Sequence, residues 1–133
     1  MIFNSESNAE VKSDKTQVGL SIDGNDHLQH LTEVHKWFKD GSEAYKTAVA
    51  VALSRNLKES DLSDPKSRKT KYGVGSLDES GKLRDMITTL RPELSDRPYA
   101  HSEWLAELGL SILRTELDQG KLLYEILTNK ESE

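Results

Sequence analysis

His27, His30 and Glu33 stand at three-residue steps. A helix through them would carry two imidazoles and a carboxylate on one side, a set that zinc or a non-haem metal accepts as ligands. A solvated helix face produces the same spacing with no ion. His35 falls instead on the apolar steps Leu28, Leu31 and Phe38, which marks it as a packed residue. His101 and Glu103 lie beside Trp104 with no nucleophile or second base at a readable spacing, so they form no triad. Tyr-Gly-Val-Gly-Ser at 72–76 followed by Gly81-Lys82 suggests a phosphate loop. The spacing fails, because five residues separate Gly75 from Gly81 and Leu83 follows the lysine. With no cysteine in the chain, thiolate catalysis, disulfides and Cys-ligated metals drop out together. The expectation is a protein that is not an enzyme and uses no cofactor and no metal.

What remains is recognition, which needs an element that holds polar side chains in a row. Thr16 to Asp23 alternates, with Val18, Leu20 and Ile22 on one side and Gln17, Gly19 and Ser21 on the other, the pattern of a half-buried strand. Leu28, Leu31, His35 and Phe38 then predict an amphipathic helix with Asn25 or Asp26 as its cap. Asp40-Gly41 stops it. Ser42 can cap a second helix, where Glu43 meets the positive end of the dipole and Tyr45, Val49, Leu53 and Leu57 step by four. Ala44, Ala48 and Ala52 let another helix backbone come close, which suits a two-fold interface or a central helix and predicts the most buried element.

A strand ahead of two helices has no partner for its own backbone donors and acceptors, so it must pair elsewhere. Strand, helix, glycine-containing turn and serine-initiated helix, in this order and length over 16–57 of a module spanning 15–57, resemble the ribbon-helix-helix family of DNA-binding dimers. That resemblance implies a homodimer in which the two copies' strands pair antiparallel. It also implies that Gln17, Gly19 and Ser21 lie in the major groove, and that the backbone around Gly41 and Ser42 holds a phosphate. This chain departs from the pattern in two ways: Gly19 has no side chain with which to read a base, and the strand carries no Lys or Arg. Its cations would be Lys15, just before the strand, and Lys66, Arg68, Lys69 and Lys71 in a basic linker over 58–75, as auxiliary phosphate contacts.

The 133 residues suffice for one domain, with 35% hydrophobic and 31% charged residues and a net charge of −5. The acidic balance gives no support to a surface that binds nucleic acid everywhere, so any contact must be a local basic patch. No apolar run approaches a membrane span, and a cytoplasmic location is the default expectation. Residues 1–14 and 129–133 read as polar tails. Over 76–128, Leu83, Met86, Ile87 and Leu90 predict one helix, with a start set by Ser76 and Glu79 or by Asp78. Trp104 to Leu117, with Pro98 in the first turn, predict a long second helix, and Leu122, Leu123, Ile126 and Leu127 a short third. The expected fold is thus mainly α, a strand-helix-helix module followed by a three-helix extension able to take a protein partner. The expected function is a bacterial-type DNA-binding homodimer, a transcriptional regulator or an accessory to DNA-modifying or defence machinery. The alternative is a helical adaptor that self-associates through the strand and binds no DNA.

Overall fold

The computed structural model describes residues 13–62 and 68–128. In chain order these form β1 (Gln17–Leu20), α1 (Ile22–His30) continued by a π turn (Leu31–His35), and α2 (Gly41–Ser54). A 3-10 turn (Glu59–Asp61), β2 (Lys69–Gly73) and α3 (Val74–Leu77) follow. Then come α4 (Lys82–Leu90), a second 3-10 turn (Pro92–Leu94), α5 (Pro98–Asp118) and α6 (Leu123–Thr128). The fold is mainly α, and the three helices expected after residue 76 are α4, α5 and α6. Lys12, Lys66 and the last five residues lie outside the described residues, as does most of the expected amino-terminal tail.

The centre is the seam between α2 and α5, where the alanine spacing operates within one chain. A Cβ on Gly109 of α5 would lie 1.8 Å from the carbonyl oxygen of Ala48, so the two helix backbones touch there and only glycine fits. Ala44, Tyr45, Ala48, Val49, Ala52, Leu105, Leu110 and Leu113 are buried around this contact. Tyr45 reaches across it to hydrogen-bond Ser102 Oγ at 2.8 Å. At the far end Arg55 forks onto Glu116 at 2.6 and 2.9 Å and also reaches the carbonyl of Ile126, which ties α2, α5 and α6 together.

The amino-terminal strand does not wait for a second copy. β1 pairs antiparallel with β2 of the same chain, Val18 opposite Tyr72 and Leu20 opposite Lys69, with a bulge between Val18 and Gly19. Residues expected to be a linker therefore supply the missing ladder. Their signal was the alternation of Thr70 and Tyr72, hidden among lysines that suit an edge strand. β1 is also shorter than its alternation predicts. Ser21 leaves the strand to cap α1, its Oγ accepting from Gly24 N–H at 3.0 Å. Ile22 thus becomes the first helical residue and is 82% exposed instead of facing inward. Neither Asn25 nor Asp26 caps this helix.

Caps elsewhere come from carboxylates. Asp40, not Ser42, closes the start of α2 by accepting from Glu43 N–H at 3.1 Å. Asp78 accepts from the N–H groups of Leu83 and Arg84 at the start of α4, where Gly81 takes φ 77°. Asp14 caps α5 from a distance in sequence, accepting from Tyr99 and Ala100 N–H at 2.7 and 2.9 Å. The end of the expected tail is thus anchored to the longest helix.

Candidate nucleic-acid interface

The face predicted to read bases is built as an inner surface. Gly19 lies in the strand and Ser21, still extended, one residue past its end, and their N–H groups point away from β2, about 6.6 Å apart by the strand rise. Glu103 and Glu107 are i and i+4 on α5, about 6 Å apart by the helix rise. The two spacings match. Glu103 Oε2 accepts from Gly19 N–H at 2.9 Å, while Glu107 Oε2 accepts from Ser21 N–H at 2.7 Å and its Oε1 from Ser21 Oγ at 2.8 Å. Both carboxylates are deeply buried, at 5% and 6% exposure. Burial of a carboxylate requires a compensating partner, and each has a cation. Lys15 Nζ lies 2.8 Å from Glu103, and Arg68 Nε 3.4 Å from Glu107.

This arrangement corrects several expected contacts. Gly19 is buried under the carbonyl of Lys69, 2.2 Å from where a Cβ would sit, so its role is close approach within the ribbon. Ser21, at 2% exposure, spends its hydroxyl on Glu107 and the α1 cap. Of the three predicted readers only Gln17 is exposed. At Gly41 and Ser42 the carboxylate of Asp40 already stands where an anion was expected, accepting from Glu43 N–H at 3.1 Å and from Ser42 Oγ at 2.8 Å. These hydrogen bonds hold the Asp40 carboxyl below its usual range, so it is a fixed negative charge where a phosphate was expected. Gly41 makes room for Tyr72, whose hydroxyl lies 2.4 Å from where a Cβ would be. Burial pushes that phenol up to about 12.

The predicted cations divide sharply. Lys15 and Arg68 are bound to buried acids, and Lys66 lies outside the described residues. Lys69 and Lys71 are exposed on β2, and neither forms an ion pair with another described residue. With Thr70 they line an open groove of about 430 Å³ against Ile22 and Asn25 at the first turn of α1, and among the described residues that line it Asp26 is the one acid. The chain matches no family model, no curated protein and no solved structure. The surface must therefore be read from its own chemistry. Exposed lysines on the outer strand of a two-stranded ribbon, next to a helix start, can neutralise phosphates, and a ribbon of this width enters a major groove.

The histidines regroup. His27 turns to Arg114, 3.2 Å away, and burial first and that guanidinium second push its pKa down. Glu33 is exposed on the π turn and does not join it. His30 instead meets His35 and Asp118. Hydrogen bonds from those two imidazoles hold the Asp118 carboxyl below its usual range. His101 accepts from Trp104 Nε1 at 3.3 Å and contacts Asp96 at 3.1 Å, so both ring nitrogens are engaged.

The residues that sequence reasoning missed are Glu107, Asp118, Asp14 and Gly109, and Glu103 in its true role. Glu103 and Glu107 did carry a signal: two acids one turn apart around the apolar Trp104, Leu105 and Ala106 demand partners from outside the helix.

Proposed function

We propose that this protein binds the phosphate backbone of duplex DNA along its β2 side, as a cytoplasmic accessory that holds DNA without reading a long operator. One observation carries the reading. Of the predicted cations among the described residues, Lys15 and Arg68 are consumed by buried carboxylates, while Lys69 and Lys71 are exposed side by side on the outer strand. Gln17, exposed at the other strand's start, is the one side chain of the ribbon's predicted reading set still available for a base edge. With Gly19 and Ser21 buried, sequence preference is slight. Regulation of transcription or support of DNA-modifying or defence machinery both fit such a contact. Among the described residues no helix is long and apolar enough to cross a membrane.

Fluorescence anisotropy with a labelled duplex tests this. The expected affinity is that of non-specific binding, roughly 10⁻⁴–10⁻⁶ M, falling with salt by about 0.9 log units per phosphate contact for each tenfold rise. Lys69→Ser with Lys71→Ser should flatten that slope by about 2. An unchanged slope contradicts the proposal. A second reading, a helical adaptor, is favoured by the shallow apolar groove formed by Ala50, Leu83, Met86 and Leu127 between α2, α4 and α6, with Lys46 and Lys82 at its wall. The salt titration separates the two, because an apolar contact does not release counterions.

A further inference from the structure

Where the π turn after α1 meets the end of α5, three potential metal ligands converge. His30 Nε2 and His35 Nε2 lie 2.9 and 2.8 Å from one oxygen, Asp118 Oδ1, and the ligand atoms of the three all fall within 4.8 Å of one another. The local backbone makes this possible. In a continuous α-helix, residues five apart are about 140° apart around the axis. Leu31–His35 is instead a π turn, closed by Lys36 N–H donating to the Leu31 carbonyl at 3.1 Å. One such turn returns a residue five positions later to the same side. The rings of His30 and His35 accordingly meet edge to face, with centroids 5.2 Å apart. Lys36 then leaves the turn in the left-handed conformation, φ 59°, which is unfavourable for a residue with a side chain. A rare helix form and a left-handed lysine stand together at the place that unites these imidazoles, and such turns concentrate at functional sites.

The surroundings suit a cation. Asp118 is the last residue of α5, where the carbonyl end of the helix dipole attracts positive charge. Arg114, one turn earlier, approaches the other carboxylate oxygen at 3.8 Å and leaves Oδ1 to the histidines. All three side chains are partly exposed, so an ion can enter from solvent. Tetrahedral bonds of about 2.0–2.1 Å set ligand atoms roughly 3.3 Å apart, so the two N–O separations need to widen by only about 0.5 Å. We propose that His30, His35 and Asp118 bind one divalent ion of the zinc, cobalt or nickel kind through the two Nε2 atoms and Asp118 Oδ1, with a further position open to water. Binding displaces the Nε2 protons that the imidazoles otherwise donate to the carboxylate: a neutral ring keeps its one proton by carrying it on Nδ1, and an imidazolium gives one up to solvent.

The test is a titration of the full chain with zinc, followed by the imidazole signals in NMR, with cobalt absorption as a second readout. The expected result is saturation at one equivalent, with His30 and His35 shifting while His27 and His101 stay still. Asp118→Asn keeps an oxygen that can accept the same hydrogen bonds and so preserves the turn. It should weaken zinc by about tenfold or more, as should His35→Ala. If either variant fails to fold, the imidazole signals of the wild-type chain decide. No saturable binding, shifts centred on His27 or His101, or full affinity in a folded Asp118→Asn protein would each overturn the proposal.

Discussion

The two strands of the ribbon differ in almost everything that matters for contact. β1 is uncharged and alternating, the kind of strand that sequence pattern presents as half open to a partner. It is sealed, by β2 along one edge and by Glu103 and Glu107 along the other. β2 is basic and reads as a loop, yet it is the strand that faces water. Alternation reports which side chains share a face, but not whether a helix has covered that face. Charge without a partner is the better guide to which strand stays open.

That difference can be broken from the sealed side first. Glu107→Ala would leave Ser21 N–H, its hydroxyl and Arg68 without their acceptor, and a loss of about 3 kcal/mol in chemical denaturation is expected. Glu103→Ala exposes a lesser fault, because Lys15 reaches water, and should remove about 1–2 kcal/mol. If both variants kept wild-type stability, the carboxylates would not be what seals β1.

Acid provides the next test, away from the ribbon. The two hydrogen bonds from Arg55 hold the Glu116 carboxyl below its usual range. A lowered folded pKa means that the stability it contributes is present above the ordinary glutamate range and is lost as pH falls through the lowered value. Glu116→Gln should therefore be less stable than wild type at neutral pH, with the gap closing in acid. A gap that stays constant from neutral pH into acid would contradict this.

The open side should respond in the opposite manner. Lys69→Ser with Lys71→Ser is expected to leave stability within about 0.5 kcal/mol while weakening DNA binding. Gln17→Ala should have the smallest effect, none on the salt slope and at most a slight loss of preference at one base pair. A destabilised Gln17→Ala protein would place that side chain in the packing and blur the contrast between the strands.

Much of the helical framework was legible in the residues. Pro98 through Leu117 marked α5 almost to its ends, and Ala44, Ala48 and Ala52 announced a helix that a neighbour approaches closely. Contacts over long sequence distance were not legible. Asp14 capping α5, Gly109 meeting Ala48, and Glu107 meeting Ser21 each join positions that no local spacing connects. Asp118 likewise meets His30 and His35 only because the π turn re-aims the helix, and no three- or four-residue period predicts a five-residue return. The strand is shorter than its alternation because Ser21 satisfies a helix start as well as a strand alternation, and the helix start gains Glu107 as a second partner.

β1 is closed, and the proposed nucleic-acid contact falls on β2. An amide NMR titration of the intact chain with a short duplex at low salt tests it most directly. Shifts concentrated at Lys69, Thr70, Lys71 and Ile22, with Gly19 and Ser21 unmoved and slow to exchange, are the predicted result. Shifts centred on Gly19 and Ser21, or none anywhere on the ribbon, would contradict it.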